Sequence, residues 1–370
     1  MKQGWEIKKL GEVCNINYGT RVVQKKDGGT VYPVYGGGGA TFKMDRYNRE
    51  DCLIVSRFAM SSQCVRYVSG KFFLNDSGLT IESYEAELSQ SFLDKHIIAL
   101  NDVIYSLGKG VAQKNLDIKE LKQLDIKYPK SREEQERIVE ELDCLSGVIE
   151  KKREQLKQLD ALAQSIFYQM FGDPITNEKG WKVSNLKDVC NKITDGTHDT
   201  PERLSNGVKF ITGKHIRPGI IDYENSDYVL QDVHNEIYAR CNPEFGDVLY
   251  TNIGANLGTA AINVVHYEFS MKNVALLKVN KNIINGYYLQ SYLNDEEVKN
   301  DIINSLSNGG AQKFLSLKMI AKISIPIPPL ALQQEFADKI EAIEKQKELI
   351  KKSISETETL FNARMDYYFN

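Results

Sequence analysis

The stretch "GVAQKNL" at residues 110–116 returns as "GGAQKFL" at residues 309–315, an interval of 199 positions. Both copies contain A-Q-K followed, after one further residue, by leucine. Self-similarity at a fixed interval is the sequence signature of a fold that is built from repeated units. The two stretches therefore predict that the chain consists of two related halves.

The repeat has a second anchor near the start of each half. "GWEIKKLGEVCN" at residues 4–15 returns as "GWKVSNLKDVCN" at residues 180–191, and Trp5 and Trp181 are the two tryptophans of the chain. Between the two anchors the interval grows from 176 to 199 residues, so the second half is 23 residues longer there. Similar ends with different middles predict one scaffold that carries two different binding segments.

Behind the A-Q-K stretch, residues 112–138 align with residues 311–337, and this alignment pairs Gln135 with Gln334. Both segments lead into a helical pattern in which apolar residues alternate at spacings of four and three, as in a coiled coil. The first stripe consists of Ile138, Leu142, Leu145, Ile149, Lys152, Leu156, Leu159, Ala163, Ile166 and Met170. The second consists of Phe336, Ile340, Ile343, Lys347, Ile350, Ile354, Thr357, Phe361, Arg364 and Tyr368.

These two predicted helices are expected to pack on each other in antiparallel orientation, because neither stripe can be buried alone. Ser131 and Glu134 match a capping box, which marks the start of the first helix. Lys152 and Lys347 lie within the stripes and would set the register of the pair. The alternative is two independent surface helices, each lying on its own domain.

The composition is that of a soluble globular protein. A chain of 370 residues with 42% hydrophobic and 26% charged residues suits two or three domains. No segment is long and apolar enough for a signal region or a membrane span. The six cysteines form no C-x-x-C pair, so we expect reduced thiols and a cytoplasmic protein that is not associated with a membrane.

Charge is distributed unevenly although the net charge is only −3. Residues 1–130 contain 19 Lys/Arg and 15 Asp/Glu, whereas residues 173–330 contain 16 and 18. Only the first segment is basic. The net charge by itself therefore argues weakly against a nucleic-acid partner, and outside the first segment bulk charge is not the means of binding.

Between the anchors the sequence predicts mixed α/β segments with glycine-rich loops, among them "YGGGGATF" at 35–42 and "TNIGANLGTAA" at 251–261. Glycine lets a backbone approach phosphate, and Arg, Lys, Asn and Gln match base edges. The alternative is that these loops are plain turns, in which Gly and Asn are common. The residues that we predict to contact DNA are Tyr35, Gly37, Arg57, Lys109, Gln113, Lys114, His198, Lys214, Arg217, Asn252, Asn256, Gln312 and Lys313.

Catalytic signatures are missing from the sequence. There is no phosphate-binding G-x-x-x-x-G-K-[ST] motif and no H-E-x-x-H motif. "NPEF" at 242–245 is similar to the N-P-P-[FY] motif of amino-group methyltransferases, but Glu244 replaces its third residue. We therefore predict no catalytic residue, no metal site and no cofactor in this chain.

The combination of repeat and helices resembles the DNA specificity subunit of type I restriction-modification systems. "IPIPPLALQQEFADKI" at 325–340 is close to the sequence with which that family passes from a target domain to its helix, and G-W-x-x-x-x-L-x-x-V-C is its usual opening. The first half departs from the family in having "YPKS" in place of a double proline. The resemblance covers essentially the whole chain.

This resemblance implies an α/β (α+β) fold with two mixed α/β target recognition domains, joined by two long helices that pack as an antiparallel coiled coil. The implied boundaries are 1–130 for the first target domain, 131–172 for the central helix, 173–330 for the second target domain and 331–370 for the C-terminal helix.

The resemblance also implies a non-catalytic function. Each target domain would read one half of a bipartite, asymmetric site in double-stranded DNA, and the helices would set the half-site spacing and dock two methyltransferase subunits. Restriction/translocase subunits would join them, and S-adenosylmethionine, ATP and Mg would be bound by these partners. Two alternatives remain: a coiled-coil scaffold that binds proteins, and a self-contained DNA methyltransferase or nuclease.

Overall fold

The computed structural model describes residues 4–110, 113–306 and 313–370. The chain forms two compact units: Met1–Arg153 together with Lys352–Asn370, here called unit 1, and Glu154–Lys351, here called unit 2. Part of the repeated A-Q-K stretch, including the predicted contact Gln312, lies outside the described residues.

Unit 1 begins with β1 (Trp5–Lys9), α1 (Leu10–Val13), β2 (Cys14–Tyr18), α2 (Gln24–Asp27), β3 (Tyr32–Tyr35), β4 (Ala40–Met44), β5 (Arg49–Ser56), β6 (Val65–Leu74) and β7 (Gly78–Ser83). It continues with α3 (Gln90–Ala99), α4 (Asn101–Ser106), β8 (Gly108–Lys109), β9 (Asn115–Leu116), α5 (Ile118–Lys122), β10 (Asp125–Pro129) and the first part of α6 (Arg132–Phe171).

Unit 2 continues from α6 with β11 (Lys182–Asn185), α7 (Leu186–Val189), β12 (Cys190–Asp195), β13 (Val208–Thr212), a 3-10 turn (Gly213–His215), β14 (Ile216–Arg217), β15 (Ile220–Ile221) and β16 (Asp227–Val229). It then contains α8 (Gln231–Arg240), β17 (Val248–Tyr250), β18 (Ala260–Ile262), β19 (Ser270–Lys272), β20 (Ala275–Val279), α9 (Gly286–Asn294), α10 (Glu296–Leu306), α11 (Leu317–Ile320), β21 (Ser324–Ile327) and the first part of α12 (Leu330–Phe369).

The two units share one sheet arrangement. In unit 1 the strand order is β2-β7-β5-β6-β3-β4, and in unit 2 the corresponding sheet has the order β12-β20-β17-β18. A separate antiparallel pair joins the first strand of each unit to the strand before its long helix, β1 to β10 and β11 to β21. Unit 2 has in addition the sheet β16-β13-β19. The predicted mixed α/β character is thus confirmed.

The central strands are buried on both faces, which explains why they are continuous apolar runs. In β5, Val55 packs with the core beneath α3, whereas Ile54 packs with a second core that contains Phe72. In β17, Tyr250 and Leu249 divide in the same way between two cores. Each sheet therefore has an apolar core on both of its faces, and its strands end in loops.

The two long helices pack antiparallel within each unit. In unit 1, Lys152 Nζ donates to Ser353 Oγ, and the ion pair of Glu141 with Arg364 lies further along. In unit 2, Lys347 Nζ lies 2.7 Å from Asp160 Oδ1. Each helix has 40 residues, about 60 Å at 1.5 Å per residue. The predicted packing of the two helices is confirmed.

Ser131 begins the first long helix as the sequence predicted. Its Oγ accepts a hydrogen bond from Glu134 N at 3.3 Å. All ten residues of the first predicted stripe are buried or half-buried. In the second stripe Arg364 is exposed, and the neighbouring Met365 is buried instead.

A buried glutamine fastens the start of each long helix to its unit. Gln135 Nε2 donates to Pro129 O at 2.7 Å, and Gln333 Nε2 donates to Pro328 O at 2.8 Å. The sequence alignment of Gln135 with Gln334 is therefore wrong by one residue. The segment between proline and helix is one residue shorter in the second half.

All six cysteines are unpaired. Across residues 4–110, 113–306 and 313–370, no helix combines the length and the apolar character that a bilayer crossing requires. Within the same ranges, no three His, Cys, Asp or Glu side chains are grouped so that they could hold a metal ion.

Candidate nucleic-acid interface

The backbone makes similar hydrogen bonds at the end of β5 and just after β17, where the chain leaves each sheet. Ser56 N donates to Cys64 O at 2.7 Å, and Thr251 N donates to Thr259 O at 2.9 Å. Both hydroxyl side chains are buried and donate to loop carbonyl groups. These hydrogen bonds therefore fix the position of the next residue, at the point where the chain leaves the sheet. We call this point the sheet exit.

The residues at these exits are Arg57 in unit 1 and Asn252 in unit 2. Leu116 N donates to Arg57 O at 2.9 Å, and Leu315 N donates to Asn252 O at 2.9 Å. The two leucines are the last residues of the repeated A-Q-K-x-L stretches. Arg57 and Asn252 thus occupy equivalent positions in the two halves of the repeat.

The Arg57 guanidinium lies between two aromatic rings. Its carbon is 4.7 Å from the centre of the Tyr18 ring and 4.5 Å from that of Phe58. Both rings remain partly exposed, Tyr18 by 46% and Phe58 by 37%. In the described part of the chain, no carboxylate lies within ion-pair distance of Arg57. Cation–π contact with the two rings restricts the guanidinium, and its N–H groups donate no hydrogen bond within the described residues, so they remain for a ligand.

Lys114 lies beside this arginine. Met60 N donates to Lys114 O at 3.0 Å, so residues 57–60 run against residues 113–116. Lys114 Nζ is 4.0 Å from the centre of the Tyr105 ring, and Gln113 is exposed next to it. We call Arg57, Phe58 and Lys114 the Arg57 surface.

Tyr35 and Gly37 pack beneath the Arg57 surface and contribute to holding it in place. Gly37 O accepts from Ser56 Oγ at 2.6 Å and from Arg66 Nη2 at 2.9 Å. A Cβ at Gly37 would lie 2.4 Å from Phe58 O, so only glycine allows this approach. The structure places both Tyr35 and Gly37 in packed positions, where Tyr35 meets the Phe72 ring edge-on.

Lys109 is already paired. Its Nζ lies 2.5 Å from Asp117 Oδ2, and this hydrogen bond raises the pKa of Lys109. The same bond lowers the pKa of Asp117, whose carboxylate also caps α5. A phosphate would have to compete with this carboxylate for Lys109.

In unit 2 the side-chain oxygen of Asn252 is buried. Its Oδ1 is shielded from water and accepts no hydrogen bond from the described residues. Ile253 follows with 41% exposure and forms a bridge with Phe314, beside the exposed Lys313. We call Asn252, Ile253 and Lys313 the Asn252 surface.

Asn256 fastens a second loop to this surface. Its Nδ2 donates to Gly213 O and Ile216 O, both at 3.2 Å. The fastened loop carries Lys214, which lies 3.1 Å from Asp227, and Arg217, which is exposed. Among the described residues no acidic group pairs with Arg217.

The two histidines of this region differ in environment. His198 is exposed, and its ring nitrogens lie 2.9 Å from Asp195 and 2.9 Å from Asn273. His215 is buried, and burial, with a contribution from Lys214, lowers the pKa of its imidazole. His198 thus lies at the surface with both ring nitrogens already engaged, so that a ligand would have to compete with Asp195 and Asn273, whereas His215 supports the loop.

Sequence reasoning missed the exposed Tyr18, Phe58 and Ile253. Phe58 and Ile253 each follow a predicted contact residue directly, and this adjacency was a usable signal. Tyr18 is brought to Arg57 only by the pairing of β2 with β7, which no local pattern reveals. Cationic, amide and apolar groups at one strand end are suited to the major groove of DNA.

Comparison with known proteins shows which family the sequence matches. The family model described as the type I restriction modification DNA specificity domain matches residues 2–160 and 178–359. The MjaIX specificity subunit of Methanocaldococcus jannaschii is 26% identical over 260 residues, which are 64% of this chain and 58% of that protein. A putative type I specificity subunit of Mycoplasma genitalium is 21% identical over 88% of this chain and 82% of its own length.

Solved structures share the fold. The crystal structure of a type I restriction-modification S subunit from M. genitalium superposes with a TM-score of 0.67 at 18% identity, covering 99% of this chain and 96% of that one. A second structure, from work on complex assembly and conformational transition of the type I R-M system, gives 0.54 at 17% identity. It covers 100% of this chain and 98% of that one.

Proposed function

We propose that this chain, which belongs to the family of type I restriction-modification DNA specificity proteins, selects the double-stranded DNA sequence on which a type I complex acts. Its relatives are specificity subunits, which recognise DNA and leave catalysis to other subunits. The observation that carries the proposal is the equivalence of the Arg57 and Asn252 surfaces on a repeated scaffold.

Each unit reads one half of a bipartite site under this proposal. The globular segments 1–130 and 173–330 act as target recognition domains, and the different residues at their strand ends make the site asymmetric. Direct base contacts come from Arg57, Asn252 and their neighbours, whereas lysines such as Lys114 and Lys313 contact phosphates. An exposed cation such as Arg217, which forms no ion pair within the described part of the chain, supports this division of roles.

The long helices, 131–172 and 331–370, set the half-site spacing as an antiparallel coiled coil. Each has one part in unit 1 and one in unit 2, which supports this role. We propose that these helices also dock two methyltransferase subunits, and that restriction/translocase subunits complete the complex. The cofactors S-adenosylmethionine, ATP and Mg then belong to those partners, and the complex works on DNA in the cytoplasm.

Methylation-sensitive long-read sequencing tests the proposal. Cells that express this chain with the methyltransferase subunit of its system are compared with cells that lack only this chain. We expect one bipartite, asymmetric methylated motif that disappears with the chain. An active methyltransferase whose methylation pattern is the same in both cell lines would contradict the proposal and favour a protein-binding scaffold.

A further inference from the structure

We propose that Arg57 and Asn252 are the residues that make the two half-sites differ, Arg57 by reading a guanine and Asn252 by reading an adenine at the corresponding position. This inference rests on the proposed function. It adds the base that each unit selects and the side chain that selects it.

The equivalence of the two positions carries the first step. Arg57 and Asn252 each follow a buried hydroxyl residue at a sheet exit, and each accepts a hydrogen bond from the leucine of an A-Q-K-x-L stretch at 2.9 Å. Because the backbone makes the same hydrogen bonds at both residues, the two side chains leave the backbone at equivalent positions of the two units. Their different chemistry is then a difference in what is read.

The neighbours of the two residues do not differ in this way. Phe58 and Ile253 are both apolar and partly exposed, by 37% and 41%. Lys114 and Lys313 are identical in type and lie next to the exits on both surfaces. An apolar contact and a phosphate contact are thus common to the two strand ends, and Arg57 and Asn252 are the pair of equivalent residues that differs in chemistry there.

The arrangement of Arg57 suits a base that offers two hydrogen-bond acceptors in one plane. Cation–π contacts with the Tyr18 and Phe58 rings, at 4.7 and 4.5 Å from the guanidinium carbon, restrict the guanidinium. Guanine offers O6 and N7 side by side in the major groove, which is the acceptor pair that arginine fits. Because no carboxylate of the described chain pairs with Arg57, binding guanine breaks no ion pair.

Asn252 is prepared in a different way. Its Oδ1 is shielded from water and accepts no hydrogen bond within the described residues, which is an unfavourable state for an amide. Turning that oxygen toward a donor on DNA therefore loses no hydrogen bond of Oδ1. Adenine presents the N6 donor beside the N7 acceptor, which is the pair that asparagine matches.

The test uses the purified chain with its methyltransferase subunits and duplexes that contain the motif found by sequencing. Methylation rates are compared between the motif and versions in which one base pair is replaced at a time. For the wild-type complex we expect one guanine whose replacement lowers the rate about 5- to 150-fold, the range of a bidentate contact. In R57A the discrimination at that position should fall to about one, with other positions unchanged.

Two further variants separate reading from folding. R57N should prefer adenine at that position and N252R should prefer guanine at the matching position of the other half-site, changes that a misfolded protein cannot produce. K114A is the matched control, because loss of a phosphate contact slows methylation of every duplex equally.

Unchanged discrimination at all positions in R57A and N252R, with melting temperatures like that of the wild type, would overturn the assignment while leaving the proposed function intact. Absence of any bipartite motif for the wild-type chain would overturn the proposed function itself. The two failures are therefore distinguishable.

Discussion

Gln333 is a polar residue with no exposed surface, and all its hydrogen bonds join the start of α12 to the rest of unit 2. Its Nε2 donates to Ile283 O and Pro328 O, and its Oε1 accepts from Asn285 N at 2.9 Å. Gln135 makes the matching three bonds in unit 1. Burial of such a group is favourable only while every bond is made.

We predict that Q333L lowers the free energy of unfolding by roughly 2–4 kcal/mol, because leucine leaves two carbonyls and one N–H buried without partners. Urea unfolding followed by circular dichroism measures the change. Q334L is the matched control, since Gln334 is exposed and we expect a change below about 0.5 kcal/mol there. Equal effects of the two substitutions would show that the buried bonds have no special weight.

The two glutamines also show that aligning the two halves leaves the equivalent of Gln135 ambiguous. The repeat identifies a glutamine at the start of both helices, but the adjacent pair in "LQQE" offers two candidates. The interval of 199 residues that holds as far as the proline favours Gln334, whereas the two apolar stripes, which are 198 residues apart, favour Gln333. The structure agrees with the stripes, because the path between proline and helix is one residue shorter in the second half.

His96 gives a prediction about pH. It is buried in unit 1 against the Phe369 ring, and burial, with a smaller effect of Lys127, lowers its pKa from 6.5 to about 3. The unfolded chain then binds a proton more readily than the folded one, so stability decreases as pH falls below 6.5 and stops decreasing near 3. The slope is roughly 1.4 kcal/mol for each pH unit.

The substitution H96L should remove this part of the pH dependence. Urea unfolding at pH 7 and at pH 4.5 measures it, and the difference between the two pH values should be smaller in H96L than in the wild type. H198L is the matched control, because His198 is exposed. A wild-type stability that falls no faster than that of H96L would contradict the buried, neutral state of His96.

At the scale of elements, the long helices were the most predictable part of the chain. Their apolar stripes, the Ser131 cap and the repeated segment before each helix are all local signals. The strand pairing around Arg57 was not predictable, because β2, β5 and β9 are far apart in sequence. Hence the sequence indicated Arg57 as a contact without indicating its aromatic neighbours.

Lys347 is the polar residue within the apolar stripe of α12. Its side chain is 11% exposed and lies 2.7 Å from both Asp160 and Glu344. Burial lowers its pKa, but the two hydrogen bonds outweigh burial and the pKa is raised. Because Asp160 and Glu344 retain access to water, neither would be left as a buried charge without Lys347.

We therefore predict that K347M leaves the free energy of unfolding unchanged or raises it by up to about 2 kcal/mol, since an apolar residue of similar size replaces a buried charge. K347A should lower it by roughly 1–2 kcal/mol through lost packing. Thermal and urea unfolding measure both, with the exposed Lys351 as the site of the control substitution K351M. A large loss in K347M would mean that the ion pairs themselves stabilise the helix pair.

At the scale of the whole molecule, charge limits what the chain can do alone. A net charge of −3 and an excess of only four positive charges in residues 1–130 leave few groups for phosphate binding. Several lysines are also paired internally, as Lys109 is with Asp117. Under the proposed function, the partner subunits must supply much of the non-specific attraction to DNA.

This argument predicts a weak dependence of DNA binding on salt for the chain alone. If Lys114, Lys313 and Arg217 each neutralise one phosphate, log K should fall against log salt with a slope of about −3. Fluorescence anisotropy with a duplex that contains the motif, between 50 and 200 mM salt, measures the slope. K114A should make it shallower by about 0.9, whereas K109A, whose lysine is already paired, should leave it unchanged.

The methyltransferase subunits should steepen the slope, because they add phosphate contacts that this chain lacks. The same titration with the assembled complex measures their contribution, as the difference between the two slopes divided by about 0.9. If the chain alone already showed the full slope of the complex, its own cations would be sufficient for backbone binding. The even balance of charge would then need another cause, and the partners would serve catalysis alone.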